Sequence, residues 1–255
     1  MSNRRAINLL QITDTHLLGS RDGLLRGVSS YDRLQSVLAD ARQRFTDTEG
    51  ILLTGDLVQD NAEGYELIRD AFRDSTVPVY CLPGNHDLPD VMYKTLVGRP
   101  FVLAEHVVIE GWLVVLLNTW QANRAGGRLG VEQLDRLNAT LTRHAHLHTL
   151  ICLHHHPISM RSRWLDEVGL TDADAFRDCL AKHRQVRGVV WGHVHQEMDE
   201  VLDGVRYMAT PATSVQFLPG SDDFAVDTRP AGYRRLQLGT DGRITSEVHW
   251  LENQR

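Results

Sequence analysis

The chain has 255 residues, 42% apolar and 24% charged, a composition that suits an ordinary globular fold with a sizeable core and excludes a disordered or fibrous chain. Its net charge of −6 argues against a broad nucleic-acid surface, which needs a basic stripe to displace counterions. No apolar run approaches the ~20 residues that cross a bilayer, so no membrane contact is expected and the cytoplasm is the expected compartment.

Met1 to Gln11 carries two arginines and then a short apolar stretch, too short for a signal-peptide core. Ile7 to Thr13 reads as a buried strand, rich in branched residues. Tyr31 to Phe45 has helical spacing at Leu34, Val37, Leu38 and Ala41. A second buried strand is predicted at Ile51 to Thr54, a helix at Ala62 to Phe72 and a third strand at Val77 to Leu82. Strand and helix alternate as in a parallel sheet. Val107 to Ile109 and Leu113 to Leu117 flank Glu110-Gly111-Trp112 as an antiparallel hairpin. A helix from Val131 to about His144, a strand from Thr149 to His154, a helix near Asp172 to Lys182 and a strand from Val186 to Trp191 follow. Val205 to Ala209, Tyr233 to Leu238 and Ile244 to Trp250 read as antiparallel strands, the last two joined at Thr240-Asp241-Gly242. No repeat or linker interrupts the chain, so residues 1–255 are expected to form one domain with two sheets. Cys81, Cys152 and Cys179 lie far apart without CxxC spacing and read as buried free thiols.

Metal-ligating residue types gather where predicted strands end, the edge at which open α/β sheets build their sites. Asp14-Thr15-His16 follows the first strand, Gly55-Asp56 the second and Gly84-Asn85-His86-Asp87 the third. His155-His156-Pro157 follows the strand ending near His154, and Gly192-His193-Val194-His195 the next. Taken alone, Asp14 or Asp56 is a cap or turn residue and each histidine a surface or core group. Turn chemistry does not explain five such segments together. Carboxylate, imidazole and amide ligands without thiolates suit Mn, Fe or Zn, and there are more of them than one ion takes. Two ions sharing a carboxylate fit better.

In this order, the segments Asp-x-His, Gly-Asp, Gly-Asn-His-Asp, His and Gly-His-x-His resemble those of the calcineurin-like metallophosphoesterases. The resemblance implies a four-layer α/β/β/α sandwich around two metals. It is closer still to one branch. QITDTHL, TGDLVQD, LPGNHD, LHHHPIS, WLDEVGL, GHVHQE, ATPATSVQF and the PAGYRRLQL tail resemble the bacterial class III 3′,5′-cyclic AMP phosphodiesterases over nearly the whole chain. Carried over by motif, Asp14, His16 and His195 hold one metal, Asp56 bridges, and Asn85, His155 and His193 hold the other. His155 is selected because the family ligand lies two residues before a proline, here Pro157; His154 then closes the strand and His156 lies behind. His86 matches the family histidine over the phosphate, with Asp87 placed to orient it, and Asn85 and His86 contact substrate. Asp56 is followed by Leu-Val-Gln-Asp-Asn rather than the arginine-bearing segment of Ser/Thr protein phosphatases, which argues against that role.

The implied function is hydrolysis of cyclic AMP to 5′-AMP by a hydroxide bridging two divalent ions, Fe or Mn with Zn as an alternative. The alternatives are another small phosphodiester, such as cyclic GMP or a glycerophosphodiester, and a non-catalytic scaffold of the same fold. Trp120, Trp164 and Phe217 follow strand ends as packing residues that also have the shape to stack on a base. Arg161 and Arg163 read as a solvated loop face, and His144, His146 and His148 as favourable charge near a helix end.

Overall fold

A strand covered on both faces needs apolar residues at nearly every position. In β1 (Ile7–Ile12), Ile7 and Leu9 point to one side, Leu10 and Ile12 to the other, and both sides are buried. The structure, a computed structural model, describes residues 5–252. After β1 come β2 (Leu24–Leu25), β3 (Val28–Ser29), α1 (Ser30–Arg44), β4 (Gly50–Thr54), α2 (Gly64–Phe72), β5 (Val79–Leu82), α3 (Pro89–Thr95) and β6 (Phe101–Val102). The second half holds β7 (His106–Ile109), β8 (Trp112–Leu116), α4 (Gly130–Arg143), β9 (His148–Cys152), α5 (Arg163–Asp166), α6 (Ala173–Leu180) and β10 (Val186–Trp191). It ends with β11 (Met198–Leu202), β12 (Val205–Ala209), β13 (Gln216–Phe217), β14 (Val226–Asp227), β15 (Gly232–Leu238) and β16 (Ile244–Trp250).

One six-stranded sheet has the order β16-β15-β1-β4-β5-β6 and the other β11-β12-β10-β9-β8-β7. The strands β1, β4, β5 and β6 run parallel, as do β8, β9, β10 and β12. The sheets face each other across Leu9, Leu52, Val114, Leu150, Val190 and Met208. Helices α1 and α2 pack on the outer face of the first sheet through Leu34, Leu38, Ile68 and Phe72. Helices α4 and α6 cover the second through Leu137, Leu141 and Phe176. Three apolar layers between four structural layers give the expected α/β/β/α sandwich.

The end of the chain departs from the sequence reading. The strand β12 does not join β15 and β16; it runs parallel beside β10, and the last two strands extend the first sheet from β1. Met208 packs between the sheets while Tyr207 and Ala209 face the helices, so β12 is buried on both faces. Its outer neighbour β11 escapes sequence patterning because MDEVL is a charged edge strand with mostly exposed residues.

All the parallel strands end at one edge of the sandwich. The Gln11 amide in β1 donates to the Trp191 carbonyl at the end of β10 (3.1 Å), so the two sheets share that edge. Helix α1, capped by Ser29 Oγ accepting from Asp32 N–H (3.1 Å), is tied to it as well. Its Arg33 donates to the Ser214 carbonyl, and Ser214 Oγ donates to the Asp14 carbonyl (2.8 Å).

Candidate metal centre

The turns that leave these strands are sharp. Asp14, His16, Asp56, His193 and His195 all lie in the left-handed region, with φ between 44° and 66°. A side-chain-bearing residue in such a conformation costs on the order of 1–3 kcal/mol and persists only where its surroundings over-determine it. Here they do. Asp14 N–H donates to the Gly55 carbonyl (3.0 Å), His16 N–H to the Asp56 carbonyl (2.9 Å) and Thr15 Oγ1 to the Leu57 carbonyl (2.6 Å). His193 N–H donates to both Asp14 carboxylate oxygens at 3.0 Å. At Gly84 a Cβ would fall 2.3 Å from Asp56 Oδ1, so only glycine lets this turn approach the carboxylate.

The side chains converge in two groups. In the first, His16 Nε2 and His195 Nε2 are 3.2 Å apart, and Asp14 Oδ1 lies 3.3 Å from His195 Nε2. Each ring is held from behind: His16 Nδ1 by Gln59 Oε1 (2.8 Å) and His195 Nδ1 by the Val215 carbonyl (2.6 Å). Both acceptors require N–H at Nδ1, which leaves the two Nε2 lone pairs facing each other. Asp56 Oδ2 stands between the groups, 3.5 Å from His16 Nε2 and 3.3 Å from His154 Nε2. In the second, His154 Nδ1 donates to the Thr54 carbonyl (2.9 Å) and its Nε2 lies 3.2 Å from Asn85 Oδ1. His193 Nε2 is buried with no hydrogen-bond partner. Ligand atoms of Asp14, His16 and His195, of Asp14, Asp56 and His154, and of His154, His155 and His193 each fall within 4.8 Å of one another. Facing lone pairs and an orphaned buried imidazole nitrogen are what a cation between them corrects. The donor set fits two divalent ions.

The charges agree. Burial works against ionisation of Asp14 and Asp56, yet His195 and His154 respectively hold both carboxylates below their ordinary range. Burial drives His155 and His193 well down and His16 to about 4, so these rings are neutral imidazoles. Burial also opposes charge on His154, but Asp56 outweighs it and raises His154 to about 9. A proton there does what a cation does: it balances the buried carboxylates.

Two of the expected side chains take other partners. His155 does not face the carboxylates; its Nδ1 meets Thr119 Oγ1 (2.7 Å) and its Nε2 the Ala125 carbonyl (3.1 Å). The ring facing Asp56 and Asn85 belongs to His154, because β9 ends at Cys152 and the turn begins earlier than the proline spacing suggests. Asp87 does not orient His86. Its carboxylate accepts from Gly84 N–H (2.8 Å), Leu57 N–H (3.2 Å) and Tyr65 OH (2.8 Å), buttressing the turn. Burial, then Asp56, push it up to about 7 against those bonds. The partner of His86 is Asp60, whose Oδ2 lies 2.9 Å from His86 Nδ1; Gln59 Nε2 lies 2.9 Å from both. Burial lowers and Asp56 and Asp60 raise His86, with a net rise. Gln59 and Asp60 were legible only as a polar pair in the loop after Asp56. Arg161 is drawn to Glu200, and Phe217 stacks on His195 with ring centroids 4.0 Å apart and planes 7° apart.

A profile of the calcineurin-like phosphoesterases matches residues 7–197. The chain is 39% identical over 251 residues to the 3′,5′-cyclic adenosine monophosphate phosphodiesterase CpdA of Vibrio vulnificus, spanning 98% of this chain and 92% of that one. It is 37% identical over 257 residues to the Escherichia coli K12 protein of the same name, spanning 100% and 94%. A dimetal phosphatase from Danio rerio superposes with a TM-score of 0.65 at 16% identity, over 97% of this chain and all of that one, a likeness of fold.

Proposed function

Because the chain belongs to the calcineurin-like phosphoesterase family, we propose that it hydrolyses 3′,5′-cyclic AMP to 5′-AMP at a centre of two divalent cations. The observation that carries the reading is the buried cluster of facing, unmatched ligand atoms around Asp56. The names of its full-length relatives support the substrate. Asp14, His16 and His195 hold one ion, Asn85, His154 and His193 the other, and Asp56 is shared. Oxygen and imidazole donors suit Mn²⁺ or Fe²⁺, with Zn²⁺ also accommodated. Bound ions supply Lewis acidity to the phosphodiester and bring the pKa of a water from ~15.7 toward ~7.

The chain's own residues do the rest. Asn85 positions the phosphate, and Asp87 fixes the turn that carries Asn85 and His86. With Nδ1–H donated to Asp60, His86 uses Nε2–H to pass a proton to the departing ribose 3′ oxygen as its bond to phosphorus breaks, while water forms the new bond and releases its own proton to solvent. Such proton transfer contributes ~10²–10⁴-fold. The three free cysteines support a reducing, cytoplasmic setting, and no helix among the described residues is long and apolar enough to cross a membrane.

The test is to strip metal with a chelator, restore Mn²⁺ or Fe²⁺ and follow cyclic AMP to 5′-AMP. Metal-dependent turnover that disappears in Asn85→Ala and His154→Ala is the expected result. Cleavage of a simple diester without cyclic AMP turnover overturns the substrate, and full activity in Asn85→Ala overturns the site.

A further inference from the structure

A cavity of about 430 Å³ opens where the ends of β5 and β8 come together. That volume lies in the ~300–1,000 Å³ range of small-molecule pockets. One of its walls continues into the metal centre, and two reach His155, whose ring nitrogen lies within 4.8 Å of those of His154 and His193. Pro83 lines it, and the next residues are Gly84 and Asn85. Asn118 and Trp120 line it, and Thr119 between them contacts His155. Arg128 lines it, and Gly127 before it packs so close that a Cβ would fall 2.4 Å from the His155 ring.

Some of the lining is already committed. Gln133 Nε2 donates to the Asn118 carbonyl (2.6 Å) while its Oε1 accepts from Asn118 N–H (3.0 Å), so these amides brace the wall. Tyr93 also lines the wall, with its hydroxyl bonded to Asn118. What remains is the Trp120 ring and the Arg128 guanidinium, which makes no ion pair or hydrogen bond among the described residues. Aromatic faces with an unpaired planar cation, next to a phosphoester centre, suit a flat heteroaromatic group rich in ring-nitrogen acceptors. On the opposite flank, Phe217 has one face against His195 and packs edge-on with Trp164 and Phe224, at 5.2 and 5.3 Å between centroids. Those rings are engaged with each other.

We infer that the cavity takes the purine nucleoside half of the cyclic nucleotide, with the base on Trp120 and Arg128 at its edge. The inference rests on the cyclic AMP reading above.

The experiment compares kcat and KM on cyclic AMP and on ethyl 4-nitrophenyl phosphate, which has no nucleoside, for the metal-loaded protein, Trp120→Ala, Arg128→Ala and Phe224→Ala. Loss of one base–aromatic stack predicts a KM for cyclic AMP about tenfold higher in Trp120→Ala, and a cyclic AMP to simple-diester ratio of kcat/KM lower by as much. Arg128→Ala shifts the ratio the same way. A ratio within twofold of the parent in both variants overturns the inference, as does a fall confined to Phe224→Ala. A parent protein that cleaves the simple diester and not cyclic AMP breaks the substrate reading itself, and the nucleoside site with it.

Discussion

Between the sheets, Gln11, Thr54, Thr210 and Arg234 form a buried polar network whose groups are matched. The Gln11 amide donates to Thr54 Oγ1 (2.9 Å) and the Trp191 carbonyl, and its carbonyl accepts from Thr210 Oγ1 (2.6 Å). Arg234, 1% exposed, donates to Thr210 Oγ1, Ser246 Oγ and the carbonyls of Met198 and Ala209. A few residues along the same strands, His16, His193 and His195 are also buried, yet His16 and His195 turn lone pairs toward one another and His193 Nε2 meets no partner. Burial of polar groups therefore does not mark a site; burial without complementary partners does. The first network holds the sheets together, and the second presents ligand atoms suited to cations.

Substitutions on the two sides should separate stability from activity. The largest effect is expected at Asp56→Ala: turnover falls by about 10³-fold or more, a loss of several kcal/mol of metal-assisted stabilisation. The metal-free melting temperature should change little, because removing the buried carboxylate also lets His154 give up the proton that balances it. Metal analysis and thermal melts decide this, and a large drop in the metal-free melt would show that the Asp56–His154 pair holds the fold together. His86→Ala should keep its metal and lose ~10²–10⁴-fold in rate, with Asp60→Asn about tenfold down. Arg234→Met should do the reverse. Stranding two carbonyls and two hydroxyls, it lowers unfolding free energy by about 3 kcal/mol in a urea titration and leaves kcat of the folded protein near that of the parent.

The smallest effect lies at a matched carboxylate outside both regions. Asp40 accepts from Tyr233 OH (2.6 Å) and Arg44 Nε (2.8 Å). Burial pushes its pKa up, but these two partners outweigh it and hold it below its ordinary 3.8. A depressed carboxylate contributes stability above its unfolded pKa and loses it as pH falls through the folded value. The stability gap between the parent and Asp40→Asn, about 1 kcal/mol at neutral pH, should therefore close below pH ~4. A gap unchanged from pH 7 to pH 3 would contradict the assignment.

The helices and two-sided strands were legible because their apolar spacing is dictated by what covers them. Val186–Trp191 and Ile244–Trp250 match their predicted spans. Partners of strands were less legible. Val205–Ala209 looks alike whether it pairs beside β10 or beside β15, and only packing of Met208 between the sheets decides. In the site, residue types at strand ends were visible, whereas ring orientation was not. His154 and His155 are neighbours of the same type, and their roles diverge because one ring meets Thr54 and Asn85 and the other Thr119 and Ala125. Asp60 was invisible as the partner of His86 because a loop folds it back across 26 positions.

The left-handed backbone at five positions around Asp14 and His193 has a consequence for the protein's life in the cell. Whatever binds the folded chain and not the unfolded one adds stability by mass action, ~2.7 kcal/mol at a hundredfold excess over the dissociation constant. An ion seated among these turns fastens several distant loops with one ligand. Metal supply then sets how long each molecule escapes proteolysis as well as how fast it works, so scarcity would lower enzyme abundance and turnover together.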